Sequence, residues 1–185
     1  MLNSKGWNAP GFFAPAALIV FGILGVRSAN AAEPQCYNLA SLQGNYAVIT
    51  NYVDNVAKAF GVRYYDGNGH FTGTFTINEP KPGSTTGERT IVSGGTQTGT
   101  YTVNCDGTGV VNRVVTLPDG ATATQSDDFI ITGAAVSGPP GWFFAGQLIA
   151  TALADAGRDP SPIVAGGLFV THSYSRLPDR QTPLQ

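Results

Sequence analysis

The stretch Tyr65-Asp66-Gly67-Asn68-Gly69-His70-Phe71-Thr72-Gly73-Thr74-Phe75-Thr76-Ile77-Asn78 decides the fold. Asp66-Gly67-Asn68-Gly69 is a tight-turn signal, because Gly and Asn supply the positive φ angles that a two-strand reversal needs. Beyond it the residues alternate with period two. Phe71, Gly73, Phe75 and Ile77 lie on one face, and His70, Thr72, Thr74 and Thr76 on the other. That is the pattern of a strand with one side buried.

Working outward, the same rhythm continues. Leu42 to Tyr52 and Ala59 to Tyr65 read as strands before the turn. After it, Glu79 to Glu88 carries Pro80, Pro82, Gly83 and Gly87 and reads as an exposed loop. Arg89 to Ser93, Thr98 to Asn104, Val110 to Leu117 and Thr122 to Thr132 read as further strands. The turns Cys105-Asp106-Gly107 and Pro118-Asp119-Gly120 and the loop Ser137 to Gly141 separate these segments. Trp142 to Leu153 is ambiguous. It begins like a strand, but Leu148, Ile149, Ala152 and Leu153 fall at helical spacing, and Gly157 is placed to cap a helix. The hairpin rhythm favours a strand there. Gly167 to Tyr174 reads as the last strand.

Eight or nine strands at this spacing define an all-β domain. Short turns favour antiparallel up-and-down order, because hairpins cannot join parallel strands. Gly44, Gly73, Gly99 and Gly146 stand inside strand patterns and allow the coiling that closure demands. The expectation is a small antiparallel up-and-down barrel of about eight strands, with a β-sandwich as the alternative.

The N-terminal segment bears on location. Phe12 to Val26 is nearly all apolar, yet at about 15 residues it is shorter than the roughly 20 that span a bilayer as a helix. Ala29-x-Ala31 follows with the small residues of a signal-peptidase site. The expected organisation is therefore a signal peptide over 1–31, one barrel domain over 32–176 and a loose tail over 177–185. No membrane span remains after cleavage, and the location is periplasmic or secreted. Once Lys5 and Arg27 leave with the leader, the net charge is about −4. With no basic run and no Arg–aromatic stripe, nothing points to nucleic acid. In an oxidising compartment Cys36 and Cys105 form a disulfide by default. Closing a loop of about 70 residues contributes roughly 4 kcal/mol in the chain-entropy view.

Leu42-x-Gly44-x-Tyr46, Tyr65-Asp66-Gly67-x-Gly69-x-Phe71-x-Gly73, Gly99-Thr100-Tyr101-Thr102-Val103-Asn104 and Gly107-Thr108-Gly109 together resemble a group of small exported bacterial proteins of unknown function. The resemblance covers about Leu42 to Ile131 and implies a barrel similar to the lipocalin-like and allene-oxide-cyclase-like ones. After Thr132 the sequence departs from that pattern. Gly44-x-Tyr46 also stands where lipocalins carry Gly-x-Trp, with Arg176 placed to cover the aromatic. A surface Arg beside a core Tyr is the favoured reading.

Motifs for chemistry are sparse. His70 points to the Thr face, and His172 shares a face with Val170 and Tyr174. Neither has partners at metal-ligand spacing, so no metal and no cofactor is expected. Asp66-Gly67-Asn68-Gly69 lacks the rest of a calcium loop. Asp127 and Asp128 are adjacent in a strand, so alternation sends them to opposite faces, and an inward one would be a buried acid with a raised pKa. No nucleophile elbow or phosphate loop is present. An eight-stranded barrel either fills its interior or holds one small ligand. The leading expectation is thus a non-enzymatic barrel holding a small apolar molecule, with Tyr46, Phe71, Phe75, Tyr101 and Phe129 as the lining. One alternative is a cyclase- or isomerase-type enzyme using Asp127 or Asp128 with Tyr101 or His172. Another is a structural or surface-interaction protein. Nothing in the sequence sets the oligomeric state.

Overall fold

The tight turn forms as its residues dictate. Asp66 Oδ1 accepts hydrogen bonds from the backbone N–H of Asn68 at 2.7 Å and of His70 at 3.0 Å. Gly67 and Gly69 take φ values of 78° and 99°. This reversal joins β2 (Lys58–Asp66) to β3 (His70–Pro80), which pair antiparallel with Tyr65 opposite Phe71. The computed structural model describes residues 36–53, 56–137, 146–162 and 168–178. The expected signal segment and cleavage site, Trp142 to Phe144 and the end of the expected tail lie outside the described residues.

The other strands are β1 (Gln43–Tyr52), β4 (Arg89–Val103), β5 (Thr108–Thr116), β6 (Thr122–Ser137), β7 (Gln147–Gly157) and β8 (Val170–Arg176). Each pairs antiparallel with its chain neighbours, and β8 returns to pair with β1, so the sheet closes into an eight-stranded up-and-down barrel. Closure leaves no open sheet edge to template aggregation.

Two of the expected strands are one. Arg89 to Ser93 and Thr98 to Asn104 are halves of β4, whose pairing with β3 shifts register between Phe75 and Thr76. Gly94, at φ 84°, lies in that irregularity, so the apparent break in the sequence is a bulge within a strand. The ambiguous Ala-rich segment is strand from Gln147 onward, and Gly157 ends it rather than capping a helix. Its helical-looking spacing has a physical cause. The β6–β7 register shifts around Gly133, so the buried side switches phase and Ile149 and Ala150 are both buried.

The interior is layered. At one end Leu42, Tyr46, Tyr65, Phe71, Tyr101, Phe129 and Leu153 form an apolar cluster. A single 3₁₀ turn (Leu39–Ser41) seals that end, with the Tyr101 hydroxyl donating to the carbonyl oxygens of Leu42 at 2.8 Å and Leu39 at 3.1 Å. The Cys36–Cys105 disulfide ties the segment before this turn to the β4–β5 connection. At the other end Tyr52, Ala57, Ala59, Ile77 and Val170 form a smaller cluster. Between the two lies a layer of buried polar and charged side chains.

Candidate functional site

Period-two alternation builds this middle layer. On β2 the inward row is Ala59, Gly61, Arg63, Tyr65. On β5 it is Val111, Arg113, Val115, and on β6 Gln125, Asp127, Phe129. Asp155 of β7 stands directly opposite His172 of β8 in the strand register. Every strand except β3, which places Gly73 there, therefore delivers one or two polar side chains to the layer. Arg63 and Asp127 are wholly buried, and Arg113, Asp155 and His172 nearly so.

Arg63 reaches across the barrel. Its Nη1 donates to Tyr174 Oη at 2.6 Å and to Tyr65 Oη at 3.2 Å, and its Nη2 donates to Gln97 Oε1 at 2.7 Å. The guanidinium also stands 4.7 Å from the centre of the Phe71 ring, a cation–π distance. Gly73 lies between Arg63 and Gln97 in the strand register. A Cβ on Gly73 would come within 3.1 Å of the Gln97 side chain and 2.7 Å of the Val62 carbonyl oxygen. The missing side chain keeps the path from Arg63 to Gln97 open.

Asp155 is the most fully satisfied carboxylate. Its Oδ1 accepts from the His172 backbone N–H at 3.0 Å and from His172 Nδ1 at 2.5 Å, and its Oδ2 accepts from the Tyr174 hydroxyl. Burial works against its charge, but His172, Arg63 and Tyr174 outweigh burial and hold its pKa below the usual carboxylate value. His172 is pushed down to about 4 by burial, with Arg113 adding to that shift and Asp155 opposing it. The imidazole is therefore neutral at pH 7. Its Nδ1–H points to Asp155, and its Nε2 accepts from Arg113 Nη1 at 3.3 Å.

Among the described residues Asp127 has one hydrogen-bonding partner, Arg113. Its Oδ1 accepts from Arg113 Nη2 at 3.3 Å. Its Oδ2 stands 2.9 Å from Arg113 Nη1, close enough for an ion pair but outside hydrogen-bonding direction. Burial is the main cause that raises its pKa to about 6; Arg113 opposes the rise and Asp155 adds to it. Arg113 Nε and both amide atoms of Gln125 are buried without a hydrogen-bond partner. At pH 7 the layer thus carries two guanidinium groups, two carboxylates and a neutral imidazole. Such a network is costly to desolvate and costly to break.

Among the described residues, a cleft leads toward this layer. It enters at the end opposite the 3₁₀ turn and is lined by Thr50, Tyr52, Ala59, Phe75, Gln97, Arg113, Val115 and His172. Its volume of about 30 Å³ has room for about two waters, or one carboxylate-sized group. Gly95 shapes the mouth: the place of its absent Cβ is 2.3 Å from Phe75 Cζ, so the ring lies flat on bare backbone. Tyr52, whose pKa burial raises to about 12, keeps its hydroxyl proton. A wider groove of about 530 Å³ runs outside the barrel past Gln43, Tyr64, Val136 and Arg176. It carries no buried charged group, so the interior cleft is the better site.

The residues expected from sequence separate into two groups. Phe75 lines the cleft, whereas Tyr46, Phe71, Tyr101 and Phe129 are packed in the apolar cluster toward the sealed end. There Tyr65 meets Tyr46 and Tyr101 edge-on at 5.5 and 5.1 Å. Asp127 and Asp128 do face opposite ways: Asp127 joins the layer, and Asp128 sits outside, paired with Arg158 at 2.6 Å. His172 belongs to the site, while His70 is exposed beside Asp66. Arg176 lies over Gly44, 3.3 Å from where a Cβ would stand. Arg63, Gln97, Arg113, Gln125 and Asp155 were not expected. Their signal was a charged or amide residue at an inward position of an alternating strand.

Asp127, Asp155 and His172 offer three ligand atoms within 4.8 Å of one another. Arg113 already pairs with Asp127 and contacts His172, and Asp155 is filled by three donors. A divalent cation would have to displace a guanidinium, so the arrangement fits an ion-pair network better than a metal centre. Comparisons with protein-family models, with curated proteins and with solved structures return no match. The class that fold and site define is a closed eight-stranded barrel with a charge-lined interior open at one mouth.

Proposed function

We propose that the protein is an exported barrel that binds a small molecule at its open mouth. The observation that carries this reading is the cleft that ends on Arg113, Gln97 and His172 between apolar walls from Phe75, Ala59 and Val115. Concave sites with apolar walls and a few converging polar groups are the usual form of ligand pockets. The ligand has an apolar body, as the walls favour, and at least one hydrogen-bond acceptor for Arg113. It is small, because the apolar layers on either side of the charged one are filled with packed side chains. The disulfide supports work outside the cytoplasm. Native mass spectrometry of protein purified from its own host, with a solvent extract of the same sample, tests the reading. One small organic molecule per chain is expected. A clean apo mass, together with failure of small aromatic probes such as toluene to perturb the mouth residues, would overturn it.

A second reading is a proton-transfer enzyme of the isomerase or cyclase type. Its support is the neutral His172, oriented by Asp155 and lining the cleft. With its pKa pushed to about 4, His172 is a weak base, which places this reading second. Turnover of a candidate carbonyl substrate that survives His172→Gln would remove it.

A further inference from the structure

We propose that the mouth takes a small monocarboxylate and takes up one proton with it, the proton going to Asp127. This inference rests on the ligand-binding reading and deepens it by naming the ligand's class and its coupling.

The argument begins with charge balance. Arg113 is the cationic side chain in the cleft wall, and its Nε is buried with no partner. A carboxylate is the natural complement of a guanidinium that still has an unused N–H. The cleft volume of about 30 Å³ accepts a carboxylate head, while a short alkyl tail lies outward along Phe75, Ala59 and Val115. Yet the layer already balances Arg63 and Arg113 against Asp127 and Asp155. A third carboxylate would leave one buried negative charge without compensation, which is strongly unfavourable. The layer can accept the anion by taking up one proton, and since both ring nitrogens of His172 are engaged, by Asp155 and Arg113, that proton goes to a carboxylate.

Asp127 is the carboxylate that can take it. Asp155 has three donors from His172 and Tyr174, all of which favour its charged form. Among the described residues Asp127 has Arg113 alone, and its Oδ2 accepts no hydrogen bond. The other groups that act on Asp127 are Asp155 from β7, Arg63 from β2, Tyr52 from β1, His172 from β8, and Asp128 next to it on β6. The carboxylates among these favour its neutral form, and the two arginines favour its charge. A ligand that draws Arg113 toward itself weakens the one strong contact that keeps Asp127 ionised. Gln125, opposite Arg113 in the strand register, has an unused amide nearby.

Butyrate is the probe, followed by NMR titration of the disulfide-bonded protein between pH 5.5 and 8, with concentrations corrected for butyric acid's own ionisation. Affinity should fall about tenfold per pH unit well above the Asp127 midpoint near 6, making binding at pH 8 about 50-fold weaker than at pH 6, where half the carboxyl is already ionised. Asp127→Asn should bind butyrate with little pH dependence. Calorimetry of the unaltered protein in two buffers of different ionisation heat counts the protons directly, so the test survives a variant that fails to fold. About one proton per butyrate at pH 7 is expected. Equal affinity at both pH values with no proton uptake overturns the coupling. Toluene binding without butyrate binding at pH 5.5 overturns the inference and leaves the ligand-binding reading intact. If neither binds, both fall.

Discussion

Asp127 and His172 shift in opposite senses, and the consequence for stability is specific. Asp127 moves up from 3.8 to about 6 in the folded protein, so the folded state holds its proton more tightly than the unfolded chain. That contribution is greatest in acid and is lost as pH rises from about 4 to 6. His172 moves down from 6.5 to about 4, so the unfolded chain binds that proton more readily. Its contribution is present above pH 6.5 and is lost as pH falls toward 4. Each shift is a little over two pKa units, or about 3 kcal/mol at 1.36 kcal/mol per unit. The two terms nearly cancel, so these two groups leave stability nearly flat between pH 4 and 6.5. Asp127→Asn removes one term. The variant should lose about 3 kcal/mol on going from pH 6.5 to 4. The loss is at least that large, because an unpaired Arg113 depresses His172 further. His172→Gln should tilt the curve the other way and gain stability in acid. Urea unfolding followed by near-UV circular dichroism at half-unit pH steps reads both slopes. A profile for Asp127→Asn as flat as that of the unaltered protein would refute the reasoning.

Other perturbations act on separate parts of the barrel. Replacing Cys36 and Cys105 by Ser frees a loop with a sequence separation of 69 and should cost about 4 kcal/mol, seen as a lower urea midpoint. Gly95→Ala places a Cβ against the Phe75 ring and should cost about 1–3 kcal/mol while closing the mouth, so butyrate binding should weaken together with thermal stability. Tyr174→Phe removes the donor to Asp155 and the acceptor from Arg63, and should cost about 2 kcal/mol in urea unfolding with the barrel retained in far-UV circular dichroism.

The barrel was legible in the sequence because its determinants are local. The Asp66-Gly67-Asn68-Gly69 turn and the alternation of His70 to Asn78 appear in the structure nearly residue for residue. Where local pattern failed, a bulge was the cause. The irregularity at Gly94 made β4 look like two strands, and the β6–β7 register shift gave β7 a helical spacing. Bulges depend on what the neighbouring strand does, and a single strand's pattern does not carry that. The site was legible only in part. Alternation separated Asp127 from Asp128 without saying which turns inward, and it put His172 on one face with Val170 and Tyr174. What could not be read was height along the barrel. Arg63, Arg113, Asp155 and His172 come from four strands, and only strand register sets them in one layer. The aromatic residues fell at the sealed end for the same reason, leaving Phe75 alone of the expected five at the mouth.

The most direct measurement is a crystal structure of the disulfide-bonded protein grown at pH 5.5 with butyrate. The mouth site predicts a carboxylate within hydrogen-bonding distance of Arg113, with the alkyl tail against Phe75 and Val115. A cleft that holds only water under those conditions, with Arg113 still turned wholly to Asp127, would contradict it.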